Sequence, residues 1–326
     1  MSGEPMPYER RRAAVADRVL REWGVTLPAS FFRFWTFLEG LGPVERQALA
    51  DMDVAVAGIA DLCAGPGLPA RDGIDVRAHG RYYRDPPEFL TFLHGGSDGL
   101  HYGLWFDDGR TCDGVASYYT HDGGGIDRTW RTPLEALRAR LERHWRDLAD
   151  DDADAAYLAA RMSGLERLRE ALTALETGDR TEVGLAYGNA HDAVLPPEDP
   201  DRITTLDAGG ALVAGRTALD RPPHRGADEY RFARYMYGLF DDVAAVETCV
   251  ADALRWCAAG DPAEALVLGR DLHWASAGDE VREAQANALL VAAYRALGRS
   301  SLVEIAEAHH RHRALPRVDV LDTGGG

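Results

Sequence analysis

The residues of this 326-residue chain that could do chemistry fall into a few groups. His309, His310 and His312 stand close together, and two imidazoles at that spacing could reach one metal ion. A zinc site needs three or four ligands, and no further ligand stands nearby in sequence, so the expectation is a solvated helix end, where cations suit the dipole, and no metal. Cys63, Cys112, Cys249 and Cys257 contain no CxxC pair and read as reduced, buried thiols. Glycines at Gly95, Gly96, Gly99 and Gly123 to Gly125 lack the strand, loop, helix and lysine order that cradles phosphates, and read as turns. GGSDG at Gly95 to Gly99 has the GxSxG spacing but reads as a turn and not as a nucleophile elbow, and there is no HExxH. All 36 basic residues are arginine, so Schiff-base chemistry and a phosphate-binding lysine are excluded. Tyr230, Tyr235 and Tyr237 with Arg231 and Arg234 could stack bases. In a chain of net charge −17 they read better as a helix that packs an aromatic face inward and displays its arginines. The residues alone assign no catalytic group and call for no cofactor.

The charge balance, 36 basic against 53 acidic residues, repels phosphate backbones and anionic lipid heads. Direct nucleic-acid binding and a membrane role are therefore not expected. With 46% hydrophobic and 27% charged residues the composition is that of a soluble globular protein, and the length suits one large domain or two ordinary ones. Arg10, Arg11 and Arg12 precede no apolar run, and no stretch approaches the ~18 apolar residues of a membrane span, so the expected location is the cytoplasm.

Periodicity supplies the elements that must position these groups. Val15, Val19 and Trp23 stripe a helix over Tyr8 to Trp23, and a second begins near Pro28 and stops at Gly40 and Gly42. Strands are expected at Val54 to Ile59, Phe89 to Leu93, Leu100 to Phe106 and Val115 to Tyr119, and the alternation in Leu100 to Phe106 is that of a strand with one buried face. Thr132, Pro133 and Glu135 form a capping box opening a helix to about Ala149. An acidic hinge, Asp150 to Asp154, leads into a helix over Ala155 to Leu175. Ile203 to Leu206 and Gly210 to Ala214 could pair as a hairpin, and helices follow at Asp228 to Leu239, Val243 to Ala258, Pro262 to Ala275, Asp279 to Leu297 and Ser300 to His312. The fold class is α+β: residues 1–150 form a mixed α/β domain with a small sheet, and residues 151–326 a hairpin plus an all-helical domain.

The segments LPASFFRFWTFL from Leu27, AGIADLCAG from Ala57, RYYRDPPEF from Arg81 and YGLWFD from Tyr102 resemble the histone PARylation factor family, accessory proteins of poly(ADP-ribose) polymerases. The hairpin Thr204 to Ala214, then ALVLGRDL from Ala265 and LLVAAYRALGRSSLVEIAEAH from Leu289, extend the likeness to His312. The resemblance implies a protein that is not itself an enzyme. It docks on an ADP-ribosyltransferase or an ADP-ribosylated protein, lends a carboxylate to the transferase's NAD-containing site and directs modification to serine. A serine hydroxyl is a poor nucleophile at neutral pH and gains from a positioned base. The family's arginine before the helical bundle matches Arg225, otherwise a loop arginine in solvent or paired with Asp228.

Counted back from ALVLGRDL, the family's adjacent Asp and Glu fall on Ala258 and Ala259, which accept no proton. Asp261 follows, reading as an N-cap of the next helix, and then Glu264. The expectation is an accessory protein without the family's catalytic carboxylate, docking through Arg225, Asp261 and Glu264, with no catalytic residue of its own. A second, shorter resemblance joins LPASFFRFWTFLEG and GSDGLHYGLWFDDG, at Gly96 to Gly109, to Smi1/Knr4-type modules, implying as the alternative a toxin-binding immunity protein.

Overall fold

The stripe of Val15, Val19 and Trp23 is fully buried in helix α1 (Tyr8–Trp23), which ends at Gly24 in the left-handed conformation. The computed structural model describes residues 7–122, 124–149, 155–175, 199–226 and 228–322. The aromatic block forms α2 (Ala29–Gly40), burying Phe31, Phe32, Phe34, Trp35 and Phe37. A short helix that periodicity did not announce, α3 (Pro43–Asp51), follows with proline in its first turn.

Five antiparallel strands form one meander in sequence order: β1 (Ala55–Val56), β2 (Phe89–His94), β3 (Leu100–Trp105), β4 (Gly114–Tyr119) and β5 (Asp127–Trp130). The expected strand over Val54 to Ile59 is only two residues long. At Gly58 the chain takes φ +56° and turns into a 3₁₀ segment, Gly58–Cys63, where a side chain on Gly58 would strike the Thr91 carbonyl. Strand β3 also departs from expectation, being buried on both faces. The side bearing Trp105 joins Phe89, Ala116, Tyr118 and Ile126 under Trp274 of the helical half, so the face expected to meet water meets protein. Strand β5 escaped the reading because Trp130 alone of its residues is buried.

The capping box opens α4 (Pro133–Ala149): the Glu135 amide donates to Thr132 Oγ1 at 3.2 Å, and the Glu135 carboxylate accepts from the Arg131 amide at 2.8 Å. Helix α5 (Ala155–Leu175) packs back on α3 and α4. The helical half holds α6 (Glu229–Phe240), α7 (Val243–Ala258), α8 (Ala263–Ala275), α9 (Glu280–Ala296) and α10 (Ser300–His312). Every residue of α8 is buried, and a single apolar cluster runs from Val15 to Leu321. Among the described residues no helix is long and apolar enough to cross a membrane.

Candidate docking face on the helical half

Helix α8 carries the run ALVLGRDL in the middle of the core, so the two charged residues of that run must find partners there. Arg270 donates from Nε to Asp207 at 2.6 Å and lies 3.3 Å from Glu88, which also accepts from the Tyr294 hydroxyl at 2.8 Å. Burial opposes the Arg270 charge, but Asp207 and Glu88 more than offset it and raise its pKa. Asp271 accepts from the Leu206 amide and from Arg221 Nη2, each at 2.7 Å, while its burial holds its carboxyl above the ordinary range. Sequence reasoning missed this network. The available signal was an Arg–Asp pair inside an apolar helical run, since such charges are almost never fully buried unless paired.

These contacts stitch the loop of residues 199–226 between sheet and helices. Arg202 pairs with Asp107, which also accepts from the Trp105 indole at 2.8 Å. Burial works against the Asp107 charge, but Arg202 and Arg128 outweigh it and hold the carboxyl below its ordinary range. The expected hairpin shrinks to one bridge, Ile203 with Ala211. Its turn amides are taken by side chains instead, Gly209 donating to Asp207 at 2.9 Å and Gly210 to Thr205 at 3.0 Å.

The loop carries the predicted site residues. Asp261 does not cap α8, whose N-terminus has no side-chain cap; its carboxylate meets Arg216 at 3.1 Å, and Arg216 stacks 4.4 Å over Trp256. Pro262 stands at the capping position, and the Asp261 carboxylate meets the loop instead. Glu264 is 1% exposed, accepts from the Ala218 amide at 2.8 Å, and has its carboxyl pushed up by burial. In this arrangement it offers a docking partner no surface. Asp261 and Glu264 therefore meet residues 216–218, whereas Arg225 lies at the other end of the loop.

Arg225 adopts φ +64°, a conformation costly for a side-chain-bearing residue, and its amide donates to Glu229 at the start of α6. Asp228 does not pair with it but sits 4.0 Å from Arg231. Among the described residues the Arg225 guanidinium has no carboxylate partner. Its charge acts with those of Arg202 and Arg270 on Arg128, whose pKa is pushed down to about 10, chiefly by burial, against the pull of Asp107. Arg225 thus belongs to an arginine cluster whose other members are held by buried acids.

Helix α6 reverses the expectation for its tyrosines. Phe232, Met236 and Phe240 fill the inward stripe, leaving Tyr230, Tyr235 and Tyr237 exposed beside Arg231 and Arg234. Tyrosine and arginine are the residues that dominate protein interfaces. Between α6 and the loop runs a cavity of about 620 Å³, lined by Arg221, Pro222, Pro223, Arg231, Phe232 and Tyr235 among others. At the end of α7, Ala258, Ala259 and Gly260 are exposed. Gly260 takes φ +93°, its amide reaches the Cys257 carbonyl at 3.0 Å, and the Asp261 amide reaches that of Trp256 at 3.0 Å, the Schellman pattern.

The histidine cluster is not the expected solvated end. His309 is 3% exposed, packs edge-on against His273 at 5.3 Å, and among the described residues neither of its ring nitrogens has a hydrogen-bond partner. Helix α10 closes on α9 there, turning this last-turn residue inward. His312 accepts from the Asp75 amide at 3.1 Å. Among the described residues no group of acids, cysteines and histidines could hold a metal. The four cysteines are free, and burial pushes the Cys63 thiol up to about 12 and that of Cys112 to about 11, which suits inert thiols.

The fold and this face define a class: an α+β protein whose sheet is capped by a helical half with exposed tyrosines and arginines. A sequence profile described as Histone PARylation factor 1 matches residues 14–177, and the chain belongs to that family. A Bos taurus protein named Histone PARylation factor 1 is 25% identical over 343 aligned positions, covering 98% of this chain and 94% of that protein. Proteins of the same name from Danio rerio and Mus musculus are 31% and 33% identical over 94 and 88 residues, and those alignments span 27% and 25% of their lengths. The profile covers the stretch on which the second, immunity-module resemblance rested.

Proposed function

We propose that this chain is a non-catalytic accessory protein of ADP-ribosylation that docks on a poly(ADP-ribose) polymerase-type transferase through the face around Arg225, α6 and the end of α7. The observation that carries the proposal is Arg225 itself. Its backbone is held at positive φ while its neighbouring arginines are matched by buried acids, leaving a guanidinium suited to a carboxylate or phosphate supplied by another molecule. The exposed tyrosines beside it give the anchors a protein partner needs.

In this reading the chain regulates its partner without lending it a base. Positions 258 and 259 lie at the C-terminal end of α7, where the helix dipole is negative. A carboxylate there would have its proton affinity raised, which improves a general base, but alanine occupies both places. Asp261 is tied to Arg216 and Glu264 is buried, so neither replaces it. Coexpression and pulldown with a cognate transferase tests the proposal. Capture by the native chain, lost in an Arg225→Glu, Asp261→Arg double variant that still melts cooperatively, is the expected result. Undiminished capture by that variant removes this face from consideration, and turnover of NAD or of ADP-ribosylated peptide by the isolated chain refutes a non-catalytic role.

A further inference from the structure

A groove of about 550 Å³ opens on the opposite half of the molecule, between α1, α2 and the end of α5. Its floor is apolar, built from Ala29, Phe32, Phe37, Leu41, Ala171 and Leu175. Among the described residues its charged lining is Arg12 and Arg33, and no carboxylate lines it. Arg12 lies 4.9 Å over the Phe32 ring, and Arg33 reaches the Leu175 carbonyl at 3.4 Å. Neighbouring Arg11 is neutralised by Glu39 at 2.6 Å, but among the described residues neither Arg12 nor Arg33 has a carboxylate within ion-pair distance.

In a chain of net charge −17, a groove lined, among the described residues, by two guanidiniums and no carboxylate runs against the global field. We propose that this groove receives an acidic amphipathic peptide segment of a partner protein. Its apolar side chains would enter over Phe32 and Phe37, and its carboxylates would meet Arg12 and Arg33. An amphipathic helix laid in a groove is the recognition mode such a floor and rim serve. A basic tail is disfavoured by the same two charges. The site is separate from the Arg225 face, so it adds a second partner surface to the chain.

The test needs no transferase, so its failure leaves the docking proposal standing. Fluorescence anisotropy of the full chain is measured with two labelled peptides carrying leucine and phenylalanine anchors at helical spacing, one flanked by glutamates and one by lysines. The glutamate peptide is expected to bind, with affinity falling as salt rises, and the lysine peptide is not. Arg12→Glu with Arg33→Glu should weaken binding roughly tenfold or more, at an unchanged melting temperature. Ala29→Trp, which fills the groove from an exposed position, should abolish it. Equal binding of both peptides, binding of neither, or indifference to the charge reversal overturns the proposal. So does a dimer that the charge reversal dissolves while the glutamate peptide does not bind, since a second copy would then be the occupant.

Discussion

Arg270, at the centre of α8, lies 3.3 Å from Glu88 at the entrance to the sheet, and both side chains are buried. This contact, completed by Asp207 from the long loop, joins three parts of the chain at one guanidinium. Removing the cation leaves two buried carboxylates unpaired. Arg270→Leu is expected to cost about 3–5 kcal/mol, and Glu88→Gln added to it should recover part of that loss. Urea unfolding of the single and double variants measures both, and a loss within about 0.5 kcal/mol for Arg270→Leu would show that the arginine does not clamp the halves.

Acid should loosen the seam between α8 and α10. The Nε2–H of His273 donates to the Asp85 carbonyl at 3.0 Å, and His309 packs beside it. Burial drives both imidazoles well below their ordinary 6.5, aided by Arg81 and Arg313. The unfolded chain binds these protons near pH 6.5 and the folded chain does not, so the unfolded state carries more protons below that value. Stability is therefore full above about pH 6.5 and falls as pH drops through the window below it, by up to about 1.4 kcal/mol per pH unit for each histidine. His309→Phe should flatten the slope of melting temperature against pH between 6.5 and 5, and an unchanged slope would clear His309 of this role.

How much of this was legible beforehand depends on whether a residue's role is local. Val15, Val19 and Trp23, and the Thr132–Glu135 capping box, announce their helices because stripe and cap lie within a few residues of each other. Arg225 was singled out only through the family resemblance, and nothing in the residues around it announced its φ of +64°. The orientations of Tyr235 and His309 were not legible, because each depends on which face of its helix a distant segment covers. Asp261 misled for the same reason: a helix-start pattern cannot show that Arg216, 45 residues earlier, takes the carboxylate.

The strain at Arg225 allows stability and binding to be separated. Glycine adopts positive φ without penalty, so Arg225→Gly should stabilise the fold by roughly 1 kcal/mol, a rise of a few degrees in melting temperature, while weakening capture of the transferase. A side chain kept only for structure would show the opposite pairing. Differential scanning fluorimetry and pulldown on the same preparation decide, and a variant that is more stable yet binds normally would remove the functional reading of Arg225.

Ala259 offers a gain-of-function test. It is exposed at the end of α7, where the helix dipole would favour a protonatable carboxylate. If the face docks as proposed, Ala259→Glu places a base beside the partner's active site, whereas the native chain places a methyl group there. With a cognate transferase, the native chain is expected to leave product linkages largely labile to hydroxylamine, as esters of acidic residues are. The Ala259→Glu chain should raise the resistant, serine-linked fraction, toward the lower end of the roughly 10²–10⁴-fold that positioned acid–base groups give. Ala259→Gln, of similar shape but unable to accept the proton, should not. A resistant fraction that rises equally with glutamine would exclude general-base action, and no rise with glutamate despite intact docking would place position 259 away from the reacting hydroxyl.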